Sequence, residues 1–208
     1  MSIIQVILKT ISSPVFKPSD KVNLLKIIGQ HAGVCTDRSI NSEACALRCA
    51  KQGHWSVFEH VSVTWEVLGI SRACSHQLAH HHMASYIQQP QRYTVVGPQT
   101  YWFVRPPGIK DKARYVRMMH TIEVLYEELI GIGVKPEDAQ YILPNATKTD
   151  IIVSMNLREF IHFYKEHGIN PHTQWEIHKL TSNMYNSLIS VHPELLPVFT
   201  MIESEKND

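Results

Sequence analysis

The chain has 208 residues, of which 44% are hydrophobic and 19% are charged, and its formal net charge is +1 at pH 7. This length and composition are ordinary for one globular domain with a sizeable core. A net charge near zero argues against general binding to nucleic acid polymers, which usually requires a clustered basic excess. No apolar run approaches the roughly 20 residues that span a bilayer, so the sequence predicts a soluble protein.

The four cysteines, Cys35, Cys45, Cys49 and Cys74, show no CxxC spacing. The beginning of the chain also lacks an apolar segment of the secretory kind. Because thiols stay reduced in the cytoplasm, we expect a cytoplasmic protein with free cysteines. Cys45 and Cys49 share a helix face, where a pair of small buried thiols is expected rather than a pair of metal ligands.

Local patterns in the first 70 residues predict strands and helices in alternation. Ser42 is typical of a helix N-cap, and Gly53 of a helix end. From Val61 to Val67, apolar and polar residues alternate, which is typical of a strand with one buried face. Together these patterns predict a strand over 3–8, a loop with Pro14 and Pro18, a helix over 20–28, a helix over 43–52 and a strand over 61–67.

The segment from His76 to Tyr93 contains four histidines, two tyrosines and an arginine in 18 residues. Ser71 is expected to cap a helix that runs from Arg72 to about His82. Successive residues rotate by about 100° around a helix, so the three histidines at 80–82 point in three directions and cannot all be buried. The segment therefore predicts a site for a polar ligand.

The second half of the chain predicts mainly helices. Residues 86–107 have no steady period and indicate an extended functional loop with room for one short strand. The remaining predicted elements are a helix over 110–132, a short helix over 136–143, a strand over 151–155, a helix capped by Asn156 and ended by Gly168, a helix over 175–191, a helix from Pro193 onward and a frayed tail over 203–208. The long helix is expected to bury a stripe formed by Tyr115, Met118, Met119, Ile122, Leu125 and Leu129.

The residues alone leave other interpretations of the histidine segment open. A surface cluster of imidazoles needs no ligand, and Tyr86 and Tyr93 serve either packing or ligand stacking. His76 and His80 have the i,i+4 spacing of two helical metal ligands. No nearby carboxylate or cysteine completes a convincing set, and we therefore predict no metal site.

Separated blocks of the sequence occur in a recognisable order. They are Gly53-His-Trp-Ser-Val-Phe-Glu-His60, Ser71-Arg-Ala-Cys-Ser-His-Gln77, Ala84-Ser-Tyr86, Gln91-Arg-Tyr93, Pro136-Glu-Asp-Ala139, Leu143-Pro-Asn-Ala-Thr147, Ser154-Met-Asn-Leu-Arg158 and Thr173-Gln-Trp-Glu-Ile177. In order and spacing these blocks resemble the flavin-dependent thymidylate synthases of the ThyX type. The resemblance covers roughly residues 40 to 190, and the joint occurrence of the blocks is much more specific than any one of them.

The resemblance implies an α+β, ThyX-like fold, in which a β-sheet is flanked by long helices in a single domain over residues 1–208 that assembles as a homotetramer. It also implies an enzyme that converts deoxyuridylate (dUMP) into deoxythymidylate. Methylenetetrahydrofolate would be the carbon donor, bound FAD the hydride carrier and NADPH the reductant. In such enzymes the cofactor performs the redox chemistry, while the protein holds and orients it.

The same resemblance implies two groups of ligand-binding residues. The residues expected to bind the cofactor are His54, Ser56, His80, His81, His82, Asn156 and Arg158. The residues expected to bind the substrate are Gln77, Gln88, Arg92, Gln140 and His167. The resemblance implies no metal, and it assigns no catalytic residue.

Several of these positions depart from the pattern of the family. The family motif is Arg-His-Arg, seven residues and then Ser, whereas this chain has His80-His-His82 and Pro90. The family also has arginines at the positions of Gln140 and His167 and an acidic residue at that of Gln88. An arginine is always charged, whereas an ordinary imidazole is mostly neutral at pH 7, and proline has no N–H. These changes predict weaker binding of a nucleotide monophosphate.

Three functions therefore remain open. The first is an active synthase in which histidines replace arginines. The second is a relative that keeps its flavin but accepts a different pyrimidine, such as one without the 5′-phosphate, or transfers a different one-carbon group. The third is a catalytically degenerate subunit that binds nucleotide or flavin. The expected flavin side is better preserved than the substrate side, which favours flavin binding.

Overall fold

The computed structural model of the chain describes residues 4–12, 22–35, 42–92 and 102–204. Within these residues, four strands form one sheet with the order β1-β2-β4-β3, in which all neighbours are antiparallel. The strands are β1 (Gln5–Ile11), β2 (Ser62–Ser71), β3 (Ala84–Gln88) and β4 (Lys148–Asn156). An antiparallel sheet combined with helices confirms the predicted α+β class.

The helices begin where a side chain caps the first turn. Asn23, Ser71 and Asn156 each accept a hydrogen bond from the backbone N–H three residues later. The α-helices of the described residues are α1 (Leu24–Ala32), α2 (Ser42–Lys51), α3 (Arg72–Leu78), α4 (Lys112–Gly131), α5 (Pro136–Ala139), α6 (Leu157–Phe163), α7 (Trp175–Val191) and α8 (Leu196–Ser204). Short 3₁₀-helices cover Gly33–Cys35, Trp55–His60, Gln140–Ile142 and Pro193–Leu195, and a π-helix covers Tyr164–Gly168. None of the described helices is long and apolar enough to cross a membrane.

One face of the sheet packs against α6 and α7. Alternate residues of β2 and β4 are buried, as the period of two requires. The Trp65 ring lies 4.8 Å from that of Phe160, and its Nε1–H donates to Ser187 Oγ at 3.0 Å. The strand β2 is therefore joined to α6 through apolar contact and to α7 through a hydrogen bond.

Most sequence predictions place an element correctly. The helices predicted over 43–52, 110–132 and 175–191 are confirmed to within two residues at each end. The cap at Asn156 and the end at Gly168 are also confirmed. The strands predicted over 61–67 and 151–155 are longer than expected, because β2 and β4 continue to pair beyond an irregularity near Gly69.

Other boundaries were predicted wrongly. The first helix runs four residues later than the predicted 20–28, because Asn23 caps it. In the long helix α4, Met118 and Leu125 are exposed rather than buried, since Met119, Glu123 and Tyr126 face inward. The loop with Pro14 and Pro18, the residue Tyr93 and the tail beyond Ser204 lie outside the described residues, whereas 203–204 belong to α8 instead of a frayed tail.

The helix that precedes the histidine triplet ends at Leu78 and not near His82. The Tyr86 hydroxyl donates to the carbonyl oxygens of Leu78 and His81, at 2.9 and 2.8 Å. This hydroxyl stabilises a turn at the point where the helix was expected to continue, and β3 begins at Ala84. The three histidines therefore lie in a turn, and the short strand expected near the start of the long loop is β3.

Candidate functional site

A groove of about 500 Å³ lies beside α6. Its walls combine an indole ring, apolar side chains, carboxylates and basic side chains. The lining residues are Trp55, Glu59, Met83, Asn156, Arg158, Glu159, Ile161, His162 and Lys165. A cleft of this size that joins apolar walls to a few polar groups is typical of a ligand site.

The start of α6 positions the polar wall of the groove. Asn156 ends β4 and accepts a hydrogen bond from the N–H of Glu159 at 2.8 Å, which sets the direction of the helix. Residues three or four apart share a helix face, so His162 follows Arg158 on the same side. Lys165 comes one turn later, in the π-helix. The sequence around the cap thus places several basic side chains along one groove.

The ion pair in the groove holds its two side chains only weakly. Arg158 forms an ion pair with Glu59, and the two side chains are 51% and 42% exposed. An ion pair with this exposure contributes about 0–1 kcal/mol to stability. An anionic ligand can therefore compete with Glu59 for the guanidinium. The ammonium group of Lys165 lies 5.4 Å from the centre of the Trp55 ring.

A chain of hydrogen bonds continues from the groove into the protein. Glu159 Oε1 lies 3.2 Å from His81 Nδ1, and His81 Nε2 lies 2.9 Å from His167 Nε2. The side chains of His81 and Glu159 are only 11% and 13% exposed. Each imidazole also packs against the ring of Phe163 in a T-shaped arrangement, at centroid distances of 4.7 and 5.0 Å. Glu159 is therefore shared between the groove and the histidine pair.

Both histidines are held by their backbone. His167 belongs to the π-helix that continues α6, and its carbonyl oxygen lies 2.9 Å from His178 Nδ1 on α7. The Tyr86 hydroxyl holds the carbonyl of His81, and burial raises the pKa of Tyr86 to about 12, so this hydroxyl stays protonated as a donor. Single-turn π-helices occur frequently at functional sites.

The pKa values of His81 and His167 lie below the ordinary value for histidine. Burial, and to a smaller extent the neighbouring His81, lower the pKa of His167 to about 4. Burial also lowers the pKa of His81, although its contact with Glu159 acts in the opposite direction. Both imidazoles are consequently neutral at pH 7. His167 does not supply the positive charge of the arginine expected at its position.

The structure brings together four of the residues predicted to bind ligands. Asn156 and Arg158 line the groove, and His81 and His167 are joined to it through Glu159. Asn156, Arg158 and His81 were predicted to bind the cofactor, whereas His167 was predicted to bind the substrate. The two predicted groups therefore meet at α6.

Other predicted residues lie elsewhere. Gln88 Nε2 donates to Ser75 Oγ at 2.8 Å and to Thr149 Oγ1 at 3.2 Å, which ties it to α3 and β4. The Gln140 amide donates to the carbonyl of Glu137 within its own turn. The rest of the predicted set lies outside the groove lining: His54, Ser56, His80, His82 and Arg92 are exposed, and Gln77 is half-buried.

The ring of His80 packs against that of His76, with 4.9 Å between centroids. The two histidines do not lie in one helix as their i,i+4 spacing suggested, because His80 follows the end of α3. In the part of the chain that the structure describes, no three His, Cys, Asp or Glu side chains are grouped so that they could hold a metal ion.

Sequence reasoning missed several residues of the groove and the pair. Glu159 lies three positions after the Asn156 cap, and His162 lies four positions after Arg158. This spacing was a usable signal, since it places the side chains on one helix face. Trp55 and Lys165 carried no such local signal, because their contact joins segments more than 100 residues apart.

Curated relatives of the chain carry one common description. The chain is 44% identical over 145 residues to a flavin-dependent thymidylate synthase of Pyrococcus furiosus, with 65% of this chain and 58% of that protein covered. It is 36% identical over 172 residues to one of Sulfurisphaera tokodaii, with 79% and 64% covered. The matched stretches thus span about 60% of the length of these relatives.

The fold agrees with a solved structure. A crystal structure of the UMP/dUMP methylase PolB from Streptomyces cacaoi, bound with 5-Br dUMP, superposes with a TM-score of 0.76 at 22% identity and covers 96% of each chain. The family described as thymidylate synthase complementing protein matches residues 20–194. That match extends over most of the sequence and includes both the groove and the histidine pair. The chain belongs to the thymidylate synthase complementing protein family.

Proposed function

We propose that this protein is an FAD-dependent enzyme that methylates C5 of the uracil ring of a pyrimidine nucleotide, in a reaction of the dUMP-to-dTMP type. The observation that carries the proposal is the groove beside α6, which presents Arg158 and Lys165 next to the Trp55 ring. The family relatives described as flavin-dependent thymidylate synthases support the same reaction. The structural likeness to a UMP/dUMP methylase supports the fold.

The residues of the groove fit a flavin nucleotide. Its diphosphate requires cationic donors, and Arg158 and Lys165 would hold it. The Trp55 ring, Met83 and Ile161 offer apolar surface to a ring system. When bound, FAD supplies the hydride-carrying chemistry. The protein's part is to orient that cofactor, to hold the charges of its phosphates and to exclude water from the reacting rings.

Membership of the family supports the remaining components of the proposal. We propose methylenetetrahydrofolate as the carbon donor, NADPH as the reductant and a homotetramer as the assembly. Additional ligand contacts are proposed for the exposed or half-buried residues that the family motifs indicate. These are His54, Ser56, Gln77, His80, His82 and Arg92.

Two measurements test this function. The purified protein, incubated with FAD and freed of excess cofactor, is expected to retain a flavin absorbance band near one FAD per chain. With NADPH and methylenetetrahydrofolate added, it is expected to release tritium from C5-labelled dUMP. A protein that retains no FAD, or that binds FAD but releases no tritium, contradicts the proposal.

The neutral imidazoles of His81 and His167 support a second candidate function. Because the pKa of His167 is low and residue 140 is a glutamine, the chain lacks two of the positive charges that the family places at the nucleotide. A flavin-binding relative that acts on a different pyrimidine, or that transfers a different one-carbon group, would fit this arrangement. Tritium release from C5-labelled deoxyuridine, at a rate exceeding that from dUMP, would identify it. A degenerate subunit would bind flavin or nucleotide and release tritium from neither.

A further inference from the structure

Glu176 is a buried carboxylate that belongs neither to the groove nor to the histidine pair. It lies in the first turn of α7 and is 2% exposed. Its Oε1 accepts the backbone N–H of Ser71 at 2.8 Å, and its Oε2 accepts the Ser71 hydroxyl at 2.6 Å. Burial of a carboxylate is costly unless hydrogen bonds compensate it. Here a single residue, 105 positions earlier in the chain, donates to both oxygens.

This contact fixes the beginning of α3. Because the Ser71 hydroxyl donates its hydrogen to Glu176, its oxygen is free to accept the N–H of Cys74 at 3.0 Å. The N–H groups of the two residues after Ser71 donate to the carbonyls of Thr147 and Asn145, at 2.9 and 3.1 Å. The first turn of a helix leaves its N–H groups without partners inside the helix. In α3 these groups are bound by the rest of the protein, and Glu176 binds the first residue of the series.

The helix α3 in turn holds two of the residues predicted to bind the substrate. Gln77 lies in its last turn, and Gln88 is attached to it, since Gln88 Nε2 donates to Ser75 Oγ at 2.8 Å. With two turns, α3 is only about 10 Å long. A displacement at its first residue is therefore passed on to Gln77 and Ser75. By contrast, no residue of α3 lines the groove proposed for the cofactor.

We propose that Glu176 is a positioning residue for the substrate: it holds Ser71, and through α3 it sets where Gln77 and Gln88 lie, without contacting a ligand itself. This inference rests on the proposed function, because it takes Gln77 and Gln88 to bind a pyrimidine nucleotide. A role in stability alone would leave ligand affinities unchanged. A positioning role changes the affinity for the substrate, because a small misplacement of a binding group weakens its contact.

The Glu176→Gln variant tests the inference. It keeps the shape of the side chain, but an amide has one acceptor oxygen, so one of the two Ser71 donors loses its acceptor. In the FAD-supplemented variant, calorimetry is expected to show dUMP binding about tenfold more weakly than to the wild type. The affinity for FAD should change less than about twofold, since α3 does not line the groove. In the tritium-release assay the loss should appear mainly as a higher KM rather than a lower kcat.

Two further variants separate positioning from stability. Ser187→Ala removes a different hydrogen bond of α7, the one from Trp65 Nε1, and should lower stability without changing the affinity for dUMP. Ser71→Ala removes only the hydroxyl and should also weaken dUMP binding, which keeps the inference testable if Glu176→Gln does not fold. Because Glu176 and Ser71 act through one contact, the double variant should lose no more affinity than the weaker of the two single variants.

Unchanged dUMP affinity in Glu176→Gln and Ser71→Ala overturns the inference. An equal loss of dUMP affinity in Ser187→Ala overturns it too, and so does an equal loss of FAD and dUMP affinity, since either result would indicate a general loss of structure. If the losses in the two double-variant partners add in full, Glu176 does not act through Ser71.

These outcomes are distinct from those of the proposed function. A wild type that binds dUMP more tightly than Glu176→Gln but releases no tritium would refute the function and leave the role of Glu176 standing. Tritium release with equal dUMP affinities would refute the role of Glu176 and leave the function standing. A wild type that binds no dUMP would overturn both.

Discussion

The two sides of α6 differ in charge and exposure although the same helix builds both. On the groove side, Arg158 is about half exposed and pairs with Glu59, which is somewhat less exposed. At the histidine pair, His81 and Glu159 are nearly buried, although Glu159 also lines the groove, and both imidazoles are neutral because burial lowers their pKa values. The comparison indicates that one part of this region carries exposed charges, whereas the histidine pair beside it is uncharged.

The largest expected effect concerns the groove side. The Arg158→Ala variant should bind FAD about 10- to 150-fold more weakly, because a charge-assisted hydrogen bond contributes about 1.5–3 kcal/mol. A titration followed by flavin fluorescence measures this affinity. The control is Arg117→Ala, since Arg117 is exposed on α4 and does not line the groove. If both variants lost the same FAD affinity, the groove side of α6 would have no special part in binding the cofactor.

The next effect concerns the pair and appears as a dependence of stability on pH. The pKa of His167 is about 4 in the folded protein, compared with about 6.5 for an unfolded histidine. Between these values the unfolded chain binds more protons. The stabilising contribution of His167 is therefore complete above about pH 6.5 and is lost as the pH falls toward 4. Because the side chain is partly exposed, we expect a loss of about 1–2 kcal/mol.

Chemical denaturation at pH 7, 5.5 and 4.5 measures this dependence. The free energy of unfolding of the His167→Asn variant should change less over this range than that of the wild type. The matched variant His172→Asn, at an exposed histidine, should behave like the wild type. The same slope in all three proteins would show that the pair is not kept neutral by burial.

A smaller effect is expected at the turn that holds the pair. The Tyr86→Phe variant loses the hydroxyl that donates to the carbonyls of Leu78 and His81. We expect a decrease of about 1 kcal/mol in the free energy of unfolding, which is typical of one hydrogen bond. The Tyr141→Phe variant is a suitable control, since Tyr141 is 84% exposed. If the two variants are equally stable, the hydroxyl does not stabilise the turn.

The smallest effect returns to the groove. In the Glu59→Gln variant, Arg158 loses its competing carboxylate, so FAD should bind a few-fold more tightly. The free energy of unfolding should change by less than about 1 kcal/mol, because both side chains of the pair are exposed. Glu128→Gln, at an exposed residue of α4, provides the control. Weaker FAD binding in Glu59→Gln would show that Glu59 itself contacts the cofactor.

Local sequence patterns predicted the strand and the helix that position the groove and the histidine pair. The alternation of residues 61–67 predicted β2, and Asn156 predicted the start of α6, because burial of a strand face and capping of a first turn involve neighbours in sequence. The turn after Leu78 was predicted wrongly as helix, because its hydrogen-bond donor, the Tyr86 hydroxyl, lies eight residues away from Leu78. A helical sequence pattern cannot reveal a hydrogen-bond donor outside the helix that binds the helix's last carbonyl groups.

By itself the sequence determined the fold class and the family, and it predicted Asn156, Arg158 and His81 as ligand-binding residues. Only the tertiary structure decided the chemistry of the histidines. His81 meets Glu159 and His167 across separations of 78 and 86 residues, and this contact forms when β3 pairs with β4 and α6 follows that strand. Protonation depends on burial and on the charges nearby, so residue type alone could not show that His167 is neutral.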